Sequence, residues 1–180
     1  RSALNRDPAI QRALSDYGSR TLGGDIETVD HELRARLNHI GQSSHLAGVR
    51  VDTGRYVALK SPAKRLFSGK MSDEIDFVEL EASISAEGAL SEVVEMIDRI
   101  DAEPWPKQIN QVSLDPKGDG QTVKVVVRLT TLFVPGRPPG TLVKANWAAD
   151  RLVRVESLIE SNPFRLPLPA PPPAAVVVAP

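Results

Sequence analysis

Two stretches of strict alternation, separated by one helical stripe, commit this chain to an α+β fold. In Ile75–Ser85, the side chains of Val78, Leu80, Ala82 and Ile84 point one way and those of Glu79, Glu81, Ser83 and Ser85 the other. That is the period-two pattern of a half-buried strand. In Thr122–Val134, one face carries Val123, Val125, Val127, Leu129, Thr131 and Phe133. The other carries Lys124, Val126, Arg128, Thr130 and Leu132, and is itself partly apolar. Between the two strands Gly88 opens a helix, with Leu90, Val93, Val94, Ile97 and Ile100 at helical spacing. Glu92, Glu95, Asp98, Arg99 and Asp101 take its wet side, and Pro104 and Pro106 stop it. A third strand covers Ile109–Leu114, with Val112 and Leu114 inward. The run Asp115-Pro116-Lys117-Gly118-Asp119-Gly120 supplies the turn residues of a hairpin.

Upstream, Ile26, Val29, Leu33, Leu37 and Ile40 form one stripe of another helix. Asp25 is positioned as its N-cap, Gly41 is expected to loosen it, and Gly48 to end it. A strand then runs over Val49–Leu59 with a kink or bulge at Gly54. The order is helix, strand, strand, helix, strand, strand. It predicts a ferredoxin-like plait in circularly permuted order, αββαββ: a two-layer sandwich in which both helices cover one face of a four-stranded antiparallel sheet. This domain spans residues 25–134. Residues 1–24 read as a flexible or helical lead-in. Residues 135–161 read as a loop and a helical extension, the helix lying over 145–159 with Leu152, Val155 and Ile159 on one side. Residues 162–180 read as a disordered Pro/Ala-rich tail of polyproline character.

Composition narrows the function. A net charge of -1 gives no global field to recruit nucleic acid or an anionic membrane. Aromatics at 4% are too few for a base-stacking surface. With no cysteine, disulfides, thiolate metal sites and cysteine nucleophiles are excluded together. No apolar run approaches the ~20 residues of a membrane-spanning helix. The chain opens on Arg1 rather than Met, and an upstream piece is expected to have been removed.

The polar clusters each have a plain structural reading. Glu79 and Glu81 share one strand face, as paired acid–base carboxylates would, but so do the residues of a solvated sheet. His31, His39 and His45 lack the i, i+4 spacing that sets two metal ligands on one helix face. Ser43 and Ser44 precede His45 without a G-x-S-x-G elbow. Gly23-Gly24 precedes a helix without the further glycines or lysine of a phosphate cradle, and a hairpin turn accounts for Gly118–Gly120. Lys60, Lys64, Arg65 and Lys70 form a basic loop with Phe67 as its one aromatic, and read as a solvated loop. No catalytic, cofactor-binding or metal-binding residue is assigned, and no cofactor is expected. The stripe of Ile26, Val29, Leu33 and Leu37 reads first as core packing, yet its spacing approaches a heptad and could continue toward a partner helix. Those four residues, with Val126 and Leu132 on the second face of the last strand, are the candidate interface.

With these elements in place the chain resembles one family. A helix ending in Leu46-Ala47-Gly48 and leading into a strand is similar to the point where the coiled coil of PilO-like proteins gives way to their periplasmic domain. The similarity continues through Val78-Glu79-Leu80-Glu81-Ala82-Ser83-Ile84-Ser85-Ala86-Glu87-Gly88, the helix of Val93, Val94 and Ile97, the short strand Val112-Ser113-Leu114, and the hairpin and long strand Val123–Phe133. It covers roughly residues 25–134. The family comprises the pilus assembly protein PilO and the related M component of type II secretion. The resemblance implies a permuted ferredoxin-like periplasmic domain, a membrane helix that this chain lacks, and no enzymatic activity. It also implies an inner-membrane platform in which such domains pair with themselves and with sister subunits. Two departures from the pattern are the missing anchor and the proline-rich tail after Asn162. The competing reading is a small-molecule-binding or enzymatic domain on the same plait, a fold that hosts many functions.

Overall fold

A computed structural model describes residues 12, 16–60, 75–118, 120–136, 147, 152–153 and 155–165. Its elements are α1 (Ile26–Ser43), β1 (Ala47–Lys60), β2 (Ile75–Gly88), α2 (Leu90–Ala102), β3 (Lys107–Lys117), β4 (Thr122–Phe133) and a short α3 (Glu156–Ser161). The four strands form one antiparallel sheet in the order β1-β2-β4-β3. Moving β4 to the front turns αββαββ into βαββαβ, the ferredoxin-like plait. The predicted circular permutation is therefore the observed topology. The basic loop of Lys64, Arg65 and Lys70 lies outside the described residues, as do 137–146 and 166–180.

Both main helices lie on one face of the sheet. Val29, Leu33 and Leu37 of α1 are fully buried, and Val93, Met96 and Ile100 of α2 are equally so. They meet Val78, Leu80, Ala82, Ile84 and Ala86 of β2 and the inward residues of β4, whose burial alternates without a break from Val123 to Phe133. Each such aliphatic side chain contributes about 1.5–3 kcal/mol on burial, so this face fixes the register of the whole sheet.

The helix ends are set by local chemistry. Asp25 caps α1: its carboxylate accepts from Thr28 N and from Thr28 Oγ1, both at 2.8 Å. Those bonds hold its carboxyl below the ordinary Asp range, the backbone bond contributing most. α1 runs through Gly41 to Ser43, not to Gly48 as expected from sequence. Gly41 is needed for close approach: a Cβ there would lie 2.7 Å from Val49 Cγ1. Ser44 caps the helix, and His45 takes the left-handed conformation (φ 59) that turns the chain into β1. At the start of α2, Glu92 Oε2 accepts from Ala89 N at 2.8 Å; alanine has no acceptor, so only half a capping box forms. At the end of α2, Lys107 Nζ donates to the carbonyls of Asp101 (3.0 Å) and Glu103 (2.6 Å). Burial lowers the Lys107 pKa, against the pull of Asp101 and Glu103.

The flanks are joined to the domain more closely than their sequence indicates. Thr21 and Leu22 are buried, Leu22 within the main core. Gly136 N donates to Gly24 O at 2.8 Å, closing one end of the sandwich. Residues 16–20 form a helical turn, and Tyr17 stands edge-on to Phe77 with ring centroids 6.4 Å apart. At the other end Asn162 Nδ2 donates to Gly120 O at 3.1 Å, and Phe164 packs against the core. The Phe164 carbonyl comes so near Gly120 (φ 79) that no side chain fits there. Of the helix expected over 145–159, the described residues hold α3 and the half-buried Leu152, Val155 and Ile159.

Candidate interaction surface

The second face of the sheet is covered by no helix among the described residues. Its side chains follow from register. On β2 they are Phe77, Glu79, Glu81, Ser83, Ser85 and Glu87. On β4 they are Lys124, Val126, Arg128, Thr130 and Leu132, directly opposite Glu87, Ser85, Ser83, Glu81 and Glu79 in turn. The strands thus carry adjacent columns of opposite sign, one with three carboxylates and one with two cations. At one end Lys117 Nζ reaches Glu87 Oε1 at 2.5 Å, and this hydrogen bond holds the Glu87 carboxyl below its ordinary value. A depression of about 460 Å³ crosses the middle of the face, bordered by Asp52, Glu81, Ser83, Gln111 and Arg128. Glu81 and Arg128 are both exposed.

The edge strands are less open to pairing. β3 shifts register between Ile109 and Gln111 and ends in Pro116-Lys117, and β1 shifts between Thr53 and Tyr56. Such bulges and prolines blunt a sheet edge against strand addition. The predicted bulge at Gly54 falls within the second shift. Beside it, α1 is tied to β1 by Arg34, which donates to Asp30 Oδ2 at 2.9 Å and to Thr53 Oγ1.

On the helix side a groove of about 440 Å³ lies between α1 and α2, bordered by Arg36, His39, Arg99, Glu103 and Trp147. Its charges are internally matched. Arg36 Nη1 lies 3.2 Å from Glu103 Oε2, and Arg99 Nη2 lies 2.7 Å from Glu95 Oε1. Arg99 also stacks over the Trp147 ring at 3.9 Å, while Trp147 Nε1 donates to Asp98 Oδ2 at 2.6 Å. Sequence reading gave Trp147 no role; a lone tryptophan in a polar stretch carries no periodicity to mark it.

The candidate interface residues divide. Val29, Leu33 and Leu37 are fully buried against the sheet, and Ile26 is half-buried beside them, so this stripe packs the domain's own core. Val126 and Leu132 lie half-buried on the uncovered face of the sheet. Glu79 and Glu81 are 2 residues apart on that same face. His31, His39 and His45 are exposed, and among the described residues no group of three or more His, Cys, Asp or Glu is arranged to hold a metal. Ser43 Oγ donates to Ile40 O at 3.0 Å, which engages it in the helix end. No helix among the described residues is long and apolar enough to cross a membrane.

No protein-family model matches the sequence, and no curated protein matches it. Among solved structures the chain is similar to the type 4 fimbrial biogenesis protein PilO from Pseudomonas aeruginosa, with 11% identity and a TM-score of 0.47 over 70% of this chain and 86% of that one. It is similar to a protein from Akkermansia muciniphila at 17% identity and a TM-score of 0.44, over 61% of this chain and 54% of that one. A further Akkermansia muciniphila protein, solved without its transmembrane region, matches at 12% identity and a TM-score of 0.42, over 74% of this chain and 64% of that one. In fold the chain is similar to PilO.

Proposed function

We propose that this chain is a non-enzymatic structural subunit of an inner-membrane assembly platform, serving a type IV pilus or a type II secretion system. It acts through homo- and heterodimerisation of a periplasmic domain held to the membrane by an N-terminal anchor outside this sequence. The observation that carries the reading is the permuted plait with a sheet face that no helix among the described residues covers, carrying both apolar and charged side chains. A sheet face of this kind offers area to a protein partner. The sequence resemblance over residues 25–134 supports the same reading.

The test is recovery of the natural full-length protein from membranes under mild detergent, followed by identification of what accompanies it. Copurification with the other inner-membrane subunits of a pilus or secretion platform is expected. A strictly monomeric protein that brings none of them down contradicts the proposal.

A further inference from the structure

The uncovered sheet face is self-complementary in charge. β2 presents Glu79, Glu81 and Glu87 with no cation among its outward residues, and β4 presents Lys124 and Arg128 with no anion among its own. Within the chain, the ladder relieves only one end of this arrangement. Glu87 lies opposite Lys124 and is bonded to Lys117, whereas Glu79 faces Leu132, Glu81 faces Thr130 and Arg128 faces Ser83.

A two-fold axis laid parallel to the strands, between two facing copies and midway between β2 and β4, exchanges the columns. β2 of each copy then lies over β4 of the other at the same level along the strands. Glu87 meets Lys124, and Arg128 meets Ser83 with Glu81 one step along the same column. Facing sheets stand ~10 Å apart, a gap that glutamate and arginine side chains span from opposite sides. Superposing like strands instead brings the acidic column of one copy over the acidic column of the other.

We infer that a second copy of this chain docks face to face on the uncovered sheet, with the acidic β2 column of each copy over the basic β4 column of the other. This rests on the scaffold reading and names the surface used for self-pairing. The contact is isologous, as a closed dimer requires. Val126 and Leu132 supply the apolar area between the charges. Exposed ion pairs add little affinity singly; the columns set orientation and exclude misaligned partners.

Charge exchange tests it. One variant carries Lys124→Glu and Arg128→Glu, the other Glu81→Lys and Glu87→Lys. All four side chains lie on the uncovered face, and circular dichroism and thermal melting verify that each variant is folded. In sedimentation velocity the wild type is expected to self-associate, less so as salt rises. Each variant alone is expected to lose at least tenfold in self-affinity, and an equimolar mixture of the two to regain it. A wild type monomeric at all concentrations overturns the inference. So does a dimer that both variants retain, or a mixture no better than either variant alone. Dimerisation indifferent to the charge exchange, with platform subunits still recovered, removes this face while leaving the scaffold reading in place.

Discussion

Arg36 of α1 donates from Nη1 to Glu103 Oε2 at 3.2 Å, across the gap between the two helices. The same carboxylate oxygen accepts from the buried Trp105 Nε1 at 3.1 Å. One acid therefore couples α1, the end of α2 and the tryptophan that plugs the turn before β3. Glu103→Ala leaves a largely buried guanidinium and an indole N–H without that acceptor. The expected cost is about 2 kcal/mol, the range for losing a charge-assisted bond at a partly shielded site, read as a lower urea midpoint at unchanged m-value.

Gly41 faces β1 at the closest approach of the helix to the sheet. Gly41→Ala raises helix propensity but places a Cβ 2.7 Å from Val49 Cγ1. Overpacking outweighs propensity here, and a net loss of about 1–2 kcal/mol is expected. Adding Val49→Ala removes the colliding methyls. The double variant should then be more stable than the sum of the single losses predicts, which a double-mutant cycle in urea measures.

The elements that sequence revealed are those whose pattern is local. Alternation in Ile75–Ser85 and Thr122–Val134 located β2 and β4, and the stripe of Ile26, Val29, Leu33 and Leu37 located α1. What stayed hidden depends on contacts far along the chain. Leu22 stands alone between polar residues and glycines, so nothing nearby marks it as core. The helix ends at Ser43 rather than at Gly48, and Gly41, expected to loosen it, serves packing against Val49. Met96 is buried at the i+3 position from Val93; the signal was present, but Val94 and Ile97 made a different face of α2 look equally apolar. The uncovered sheet face was visible only as a second, partly apolar set of residues on β4. Its sign pattern needed the pairing of β2 with β4.

Ser44 is buried, and its hydroxyl has no hydrogen-bond partner among the described residues. Ser44→Ala removes the cost of desolvating that group. Stability is expected to rise by about 1 kcal/mol, seen as a higher melting temperature by calorimetry.

Asp25 gives the fold a dependence on acid. Its carboxyl is held below the ordinary Asp value by the bonds from Thr28, so its contribution is fully present above that ordinary value. The contribution is lost as pH falls through the lower folded value. Asparagine is also a good N-cap but does not titrate. Urea midpoints of the wild type and Asp25→Asn are therefore expected to differ most near neutral pH, the wild type being higher. The difference should shrink as pH is taken below about 4.

A protein partner seated on the uncovered sheet face would lie against the side chain at position 126. Placing a photo-crosslinking residue at Val126 in the natural full-length protein, inside living cells, tests that contact most directly. Adducts with a second copy or with another inner-membrane platform subunit are expected, abolished when Lys124 and Arg128 are both changed to glutamate. Absence of any protein adduct from Val126, in cells where the protein is folded and abundant, would contradict it.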